Sequence, residues 1–325
     1  MSLLQVKDLE VSFKLRTGEL HAIRGISFDL NKGERIGIVG ESGAGKSVAA
    51  FSILNLISQP GYISGGSISY KDHTLSTMSD AELATIRGNQ IAMIFQDPMM
   101  TLNPVLTIGT QMIETLQAHQ KMDKKTAEKE ALHRLKQVHI PSPEKRLKQY
   151  PHELSGGMKQ RVIIAIALLN NPDIIIADEP TTALDVTIQA EIMELLLELC
   201  KNNGVSLILI THDLGVVAQT TEKVIVMYAG KIIEQGSTRD IIDNPNHPYT
   251  QGLIKALPQK AAPGEMLNQI PGNMPQLDAI PTGCAFNPRC EHTTELCIKT
   301  EPELIAKDNR AVSCNLYSER LKHDK

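Results

Sequence analysis

The chain has 325 residues, 42% of them hydrophobic, enough for a sizeable core and for about two domains. Lys and Arg total 33 against 37 Asp and Glu, for a net charge of −4, so whole-chain attraction to nucleic acid is not expected. With no Trp and 3% aromatic residues, base-stacking platforms are not expected either.

Residues 1–10 carry early acidic residues and no long apolar stretch, unlike a signal peptide. The longest apolar run, Val162 to Leu169, falls short of the roughly 20 residues a bilayer-spanning helix needs. A cytoplasmic chain is expected, with any membrane role supplied through a partner. Strands are predicted at Val11 to Phe13, Ile26 to Leu30 and Ile36 to Val39.

The third of these strands runs into Gly40-Glu41-Ser42-Gly43-Ala44-Gly45-Lys46-Ser47, which reads G-x-x-x-x-G-K-S, and a helix pattern begins at Val48. Strand, glycine loop and helix start are the setting in which this spacing forms a phosphate cradle. Glycines let successive N–H groups converge on one anion, and the helix start adds partial positive charge. Lys46 is suited to β- and γ-phosphates and Ser47 to Mg²⁺.

Gly61 to Gly66 reads as a glycine-rich loop ahead of a short strand, Ser67 to Tyr70, and Ile91 to Phe95 as another strand that ends at Gln96. From about Thr107 to Tyr150, charged residues alternate with Ile, Leu and Met at helical spacing, which predicts a helical subdomain inserted into an α/β core. Ile174 to Ala177 is a buried strand ending in Asp178 and Glu179, which are either ordinary solvated acids or the Mg²⁺ and water-polarising groups of a nucleotide site. Val186 to Leu199 is a helix, and Leu207 to Ile210 a buried strand followed by His212. Val224 to Tyr228 and Lys231 to Gln235, joined by Ala229-Gly230, form a hairpin. Prolines at 263, 271, 275 and 281 mark a linker and a small irregular appendage after about Pro258.

Cys284, Cys290, Cys297 and Cys314 lie in that appendage with spacing C-x5-C-x6-C-x16-C. Four thiols on a segment poor in apolar residues imply a metal site or cluster as a staple. The close C-x₂₋₄-C pairs usual for zinc are missing, and the gaps match neither common ferredoxin pattern, so zinc, iron–sulfur and plain thiols or disulfides all stay open. Cys200, at the end of an amphipathic helix, reads as core.

Leu154-Ser155-Gly156-Gly157-Met158-Lys159-Gln160-Arg161 closely resembles the signature of ATP-binding-cassette ATPases, and residues 1–258 carry the family's motifs in order. The resemblance implies an α/β P-loop ATPase with a RecA-like core, an antiparallel β subdomain and an inserted helical subdomain of about 100–165, followed by a cysteine-rich domain over 259–325. It implies that Phe13 stacks on adenine, though Phe13 also reads as plain strand core. It further implies that Gly40 to Val48 bind the phosphates, that Ser47, Gln96 and Asp178 hold Mg²⁺, and that Glu179 is the catalytic base with His212 as the switch residue. Leu154, Ser155, Gly156, Gly157 and Gln160, with Asp185 of Ala183-Leu184-Asp185, would face ATP held by a second cassette.

A narrower resemblance joins Gln96-Asp97-Pro98 to Leu102-Asn103-Pro104, Asn246-His247-Pro248-Tyr249-Thr250 and Gly283-Cys284-Ala285-Phe286-Asn287-Pro288-Arg289-Cys290 to importers for peptides and nickel. The whole chain resembles the first of two ATPase subunits in dipeptide and oligopeptide importers. That implies ATP and Mg²⁺ as ligands, a second ATPase subunit in a heterodimer, two integral membrane permease subunits and an extracytoplasmic peptide-binding protein. It places the chain on the cytoplasmic face of the inner membrane, with no nucleic acid partner. It also implies a [4Fe–4S] cluster on Cys284, Cys290, Cys297 and Cys314, with zinc as the alternative. A nickel or metallophore importer, or a soluble cassette ATPase acting on ribosomes or DNA, are the competing functions.

Overall fold

The computed structural model describes residues 2–182, 184–257, 268–307 and 309–317. Pro258, Pro263 and most of the expected linker, together with Ala183, lie outside the described residues. The chain separates into two compact units. The first comprises residues 1–31, 35–77 and 209–325, and the second residues 32–34 and 78–208.

The first unit opens with β1 (Leu4–Leu15) and β2 (Gly18–Leu30), then β3 (Arg35–Val39), α1 (Lys46–Ile53), β4 (Gly61–Tyr70) and β5 (His73–Thr74). β1, β2, β4 and β5 form an antiparallel sheet in the order β2-β1-β4-β5. Gly61 to Gly66 is therefore strand, where the sequence reads as a loop. Gly61 pairs with Phe13 and Gly65 with Glu10. A side chain at Gly61 would sit 2.6 Å from the Phe13 ring, and one at Gly65 would sit 2.9 Å from the Glu10 carboxylate. The glycines admit large neighbours on the adjoining strand, a use of glycine that the local sequence does not distinguish from a turn.

The second unit contains α2 (Asp80–Ile86), β6 (Ile91–Ile94), α3 (Pro98–Thr101), α4 (Ile108–His119), α5 (Lys124–Gln137), α6 (Pro143–Arg146), α7 (Gly156–Leu168), β7 (Ile174–Asp178) and α8 (Val186–Asn203). β6 and β7 run parallel, with Ile91 opposite Ile174 and Ile94 opposite Ala177. Every residue of β7 is buried, as its unbroken run of Ile predicts. Helix starts follow from side-chain caps. Thr107 opens α4, Asp123 opens α5 and Asp185 opens α8, each accepting a hydrogen bond from a backbone N–H in the first turn. Gly204, at φ 65°, closes α8 in the left-handed conformation that favours glycine.

β8 (Ser206–Thr211) leads back into the first unit, which continues through α9 (Leu214–Thr220), β9 (Lys223–Tyr228), β10 (Lys231–Ser237), α10 (Thr238–Asp243), α11 (Pro248–Lys255), α12 (Glu295–Lys299), β11 (Ile305–Lys307) and β12 (Arg310–Val312). β3 pairs in parallel with β9, which pairs with β10 through the hairpin read from sequence. Ala229 and Gly230 have φ 45° and 79°, the positive pair that a two-residue turn matching strand twist requires. β12 adds to the other edge of β10, and β11 to β12, so appendage strands extend this sheet.

His247 caps α11 and is fully buried. Its Nδ1 accepts the Tyr249 N–H at 3.0 Å, which requires a neutral ring protonated on Nε2. Burial lowers its pKa from 6.5 to about 3. The unfolded chain binds this proton first, so the contribution is complete above the unfolded value and declines as pH falls from 6.5 toward 3, by up to ~1.4 kcal/mol per pH unit. Urea melts at pH values of about 7.5 and 5.5 should show this loss, and His247→Asn, which keeps a capping acceptor, should flatten the difference.

Candidate nucleotide site

The phosphate loop follows β3 and ends at the start of α1, inside the first unit. Gly43 and Gly45 have φ 82° and 100°, which only glycine adopts without strain. At Gly40 an added Cβ would lie on the carbonyl oxygen of Met227 in β9, and at Gly45 it would lie 2.9 Å from Ile23. These glycines set the path of the loop by close approach as well as by dihedral freedom. Lys46 is buried and donates from Nζ to the carbonyl oxygens of Gly40, at 2.8 Å, and Glu41, at 3.0 Å. The ammonium is thereby held across the loop mouth. No side chain caps α1, and no acidic residue lies in its first turn. A helix start with these properties fits an anion such as a nucleotide phosphate. Ser47, next to Lys46, opens the same helix and is half-buried.

The acidic strand end lies in the second unit. Asp178 is buried at the end of β7, and Glu179 follows at φ 43°, an uncommon backbone for a carboxylate side chain. The Glu179 Oε2 accepts from Gln96 Nε2 at 3.2 Å and from Thr182 Oγ1 at 3.0 Å. Gln96 and Glu179, 83 positions apart in sequence, are thus joined beyond the ends of the paired strands β6 and β7. The left-handed turn aims the carboxylate across the strand end, where it meets Gln96.

Signature residues gather at the start of α7 in the same unit. Leu154 is buried, and Ser155 is the N-cap, accepting the Met158 N–H at 3.4 Å. A Cβ at Gly157 would press on Ile188 of α8 at 2.9 Å, and one at Gly156 would touch Leu184 at 3.3 Å. The paired glycines therefore let the α7 start pack against the segment carrying Asp185. Asp185 is exposed and caps α8 through the Ile188 N–H at 3.0 Å. Gln160 is fully buried, and neither its amide oxygen nor its amide nitrogen has a hydrogen-bond partner among the described residues.

His212 and Phe13 belong to the first unit. His212 is exposed at the end of β8, one residue before the cap of α9. Phe13 is half-buried in β1 beside Gly61.

Two residues that sequence reasoning assigned no role touch the phosphate loop directly. The Glu41 N–H donates to the Tyr249 hydroxyl at 2.8 Å. The Arg289 guanidinium donates to both Glu41 carboxylate oxygens, at 2.8 and 3.0 Å. Tyr249 and Arg289 stand inside the motifs that suggested a peptide importer. Their chemical types give no sign of a contact made across 208 and 248 residues.

The four appendage cysteines are free thiols among the described residues. Gly283, at φ 71°, lets the backbone at Cys284 meet α12, where Cys284 N donates to the Cys297 carbonyl at 2.8 Å. Burial pushes the Cys284 thiol up to about 11 and raises those of Cys290 and Cys314, with charge on neighbouring cysteines adding to each rise. They lie near enough to sense one another. Yet among the described residues no group of three or more Cys, His, Asp or Glu side chains is arranged to hold a metal ion. The implied [4Fe–4S] cluster is thus not supported by this geometry.

A phosphate loop between a parallel strand and a helix, with a carboxylate pair at a second parallel strand end, defines a P-loop nucleotide-binding protein. Residues 23–182 match the ABC transporter family, and residues 233–297 match the family described as "Oligopeptide/dipeptide transporter, C-terminal region". The Bacillus subtilis dipeptide transport ATP-binding protein DppD is 51% identical over 98% of this chain and 96% of its own length. The Haemophilus influenzae DppD is 49% identical over 97% and 96%. The Escherichia coli oligopeptide transport ATP-binding protein OppD is 49% identical over 93% and 89%. A dimeric post-hydrolysis structure of the ATP-binding cassette MJ0796 with ADP and Pi superposes with a TM-score of 0.65, at 30% identity, over 73% of this chain and 99% of that one. The chain belongs to the ABC transporter ATPase family, in the branch that carries the oligopeptide/dipeptide transporter C-terminal region.

Gly40→Ala should displace the loop from the Met227 carbonyl. The expected result is a stability loss of about 1–3 kcal/mol, from forcing a packed backbone apart, with weakened MgATP binding. Thermal melts with and without MgATP measure both.

Proposed function

We propose that this chain is the ATP-hydrolysing subunit of a membrane importer for dipeptides and oligopeptides. The observation that carries the reading is the presence, on one chain, of a phosphate loop and the peptide-transporter region at 233–297. Residues 1–258 would act as the nucleotide-binding domain and 259–325 as its C-terminal companion. No helix among the described residues is long and apolar enough to cross a membrane, which suits a peripheral subunit docked on two permease subunits at the cytoplasmic face. An extracytoplasmic binding protein would deliver the peptide, and a second ATPase subunit would complete the cassette pair.

ATP hydrolysis is water attack on the γ-phosphate, governed by positioning and charge neutralisation. In this reading Phe13 stacks on adenine. The N–H groups from Gly40 to Val48 and the ammonium of Lys46 hold the phosphates. Ser47, Gln96 and Asp178 are assigned to Mg²⁺, which would neutralise phosphate charge when bound. Glu179 accepts the proton of the attacking water, and its hydrogen bond to Gln96 holds the carboxylate in place. His212 senses the γ-phosphate. Ser155, Gly157 and Asp185 serve the partner subunit's nucleotide, so ATP closes the pair and hydrolysis reopens it.

The finer reading of the appendage is a [4Fe–4S] cluster on Cys284, Cys290, Cys297 and Cys314. Four cysteines on one short segment, with the Cys284 N–H donating to the Cys297 carbonyl, support it. Anaerobic purification followed by metal and acid-labile sulfide analysis decides the matter. About four iron and four sulfide per chain would establish the cluster, zinc alone would replace it, and neither would leave plain thiols.

Glu179→Gln should lower ATP turnover by about 10²–10⁴-fold, the usual worth of a general base, while MgATP binding persists. Normal hydrolysis by this variant would remove Glu179 from the base role. Affinity purification from membranes should recover two integral membrane subunits and a second ATPase. Ribosomal proteins in their place would overturn the importer reading.

A further inference from the structure

The phosphate loop carries a negative charge of its own. Glu41 occupies its second position, half-buried, in a loop whose purpose is to receive an anion. Its backbone carbonyl oxygen accepts from Lys46 Nζ at 3.0 Å, so the residue shares the loop mouth with the ammonium that the phosphates require. An uncompensated carboxylate here would repel phosphate and compete for Lys46.

Compensation comes from the far end of the sequence. Arg289 binds both carboxylate oxygens in a fork, at 2.8 and 3.0 Å, and its own side chain is only 6% exposed. It is held there independently of Glu41. Its Nε donates to the Pro271 carbonyl at 2.7 Å, and its guanidinium packs near the rings of Tyr228 and Phe286, at 5.9 and 5.8 Å. A planar, permanently charged guanidinium fixed on several sides suits a standing counter-charge better than a mobile lysine would. A second tie acts on the loop backbone. The buried Tyr249 hydroxyl accepts the Glu41 N–H at 2.8 Å, and its ring is wedged between Tyr228 and Phe286, at 4.8 and 5.4 Å.

We propose that the C-terminal segment is part of the ATP site by proxy: Arg289 neutralises Glu41 and Tyr249 pins its backbone, so the tail sets the affinity of the phosphate loop for MgATP. Both are positioning residues that act through Glu41. The inference rests on the ATP-binding reading of the loop.

The test is steady-state ATPase kinetics and MgATP binding on the full chain in its transporter complex. Arg289→Gln is expected to raise the KM and Kd for ATP about tenfold, within the range for coupling between two sites, with kcat changed less than about twofold. The rise should shrink as salt increases, because it is caused by an unpaired charge. Adding Glu41→Gln to Arg289→Gln should recover most of the lost affinity, since the uncompensated charge is gone. A purely structural role for Arg289 predicts no recovery. An unchanged KM in Arg289→Gln, or a double variant as weak as the single one, overturns the proposal. Should loss of Arg289 unfold the tail, Tyr249→Phe removes the hydroxyl alone. A KM raised several-fold then supports the proposal and an unchanged KM sinks it. If the parent chain itself binds no MgATP, the fault lies with the proposed function; if the parent binds and Arg289→Gln binds equally well, it lies with this inference.

Discussion

Everything at the phosphate loop depends on one close approach, that of Gly40 to the Met227 carbonyl. β3 and β9 pair in parallel from Ile36 opposite Lys223 to Val39 opposite Val226. One step beyond that register the two backbones meet with no room for a Cβ. The loop leaves the strand at that point, turns through two glycines of positive φ and delivers Lys46 back across its own mouth. Sheet pairing thus sets the anion site, and the helix after it contributes unpaired N–H groups at a place already determined.

A different constraint governs the strand-end acids. Glu179 accepts a backbone conformation that costs on the order of 1–3 kcal/mol for residues other than glycine. The neighbouring hydrogen bonds from Gln96 and Thr182 hold it in place. A relaxed extended residue at this position would continue the strand direction and carry its carboxylate past Gln96. The strain is the cost of turning a strand residue into a site residue.

Much of this was legible in the sequence because its signals are local. The loop spacing, the Ile run of β7, the Ala229-Gly230 turn and the Val186 start of α8 each announce themselves within a few residues, whereas α8 runs past the expected Leu199 to Asn203. The Gly61 to Gly66 stretch was misleading because glycine serves both turns and crowded strands, and only the Phe13 and Glu10 side chains opposite decide between them. Tyr249 and Arg289 were visible as motif residues but not as loop contacts. Their partner, Glu41, sits more than 200 positions away. The thiols gave a count and a spacing, but no sign that burial would raise the pKa of those at Cys284, Cys290 and Cys314 above the ordinary thiol range.

The pairing of β12 with β10 gives residues 310–312 a share in the solubility of the whole chain. Glu234 in β10 is fully buried and takes hydrogen bonds from the N–H groups of Asn246 and His247 and from Arg310 of β12. A premature stop after α12 would delete that arginine, leaving a buried carboxylate short of its cation. The same truncation would bare the N–H and C=O groups along β10, an open edge onto which foreign strands can add. Chains lacking β11 and β12 would accordingly be sticky and aggregating rather than trimmed and working.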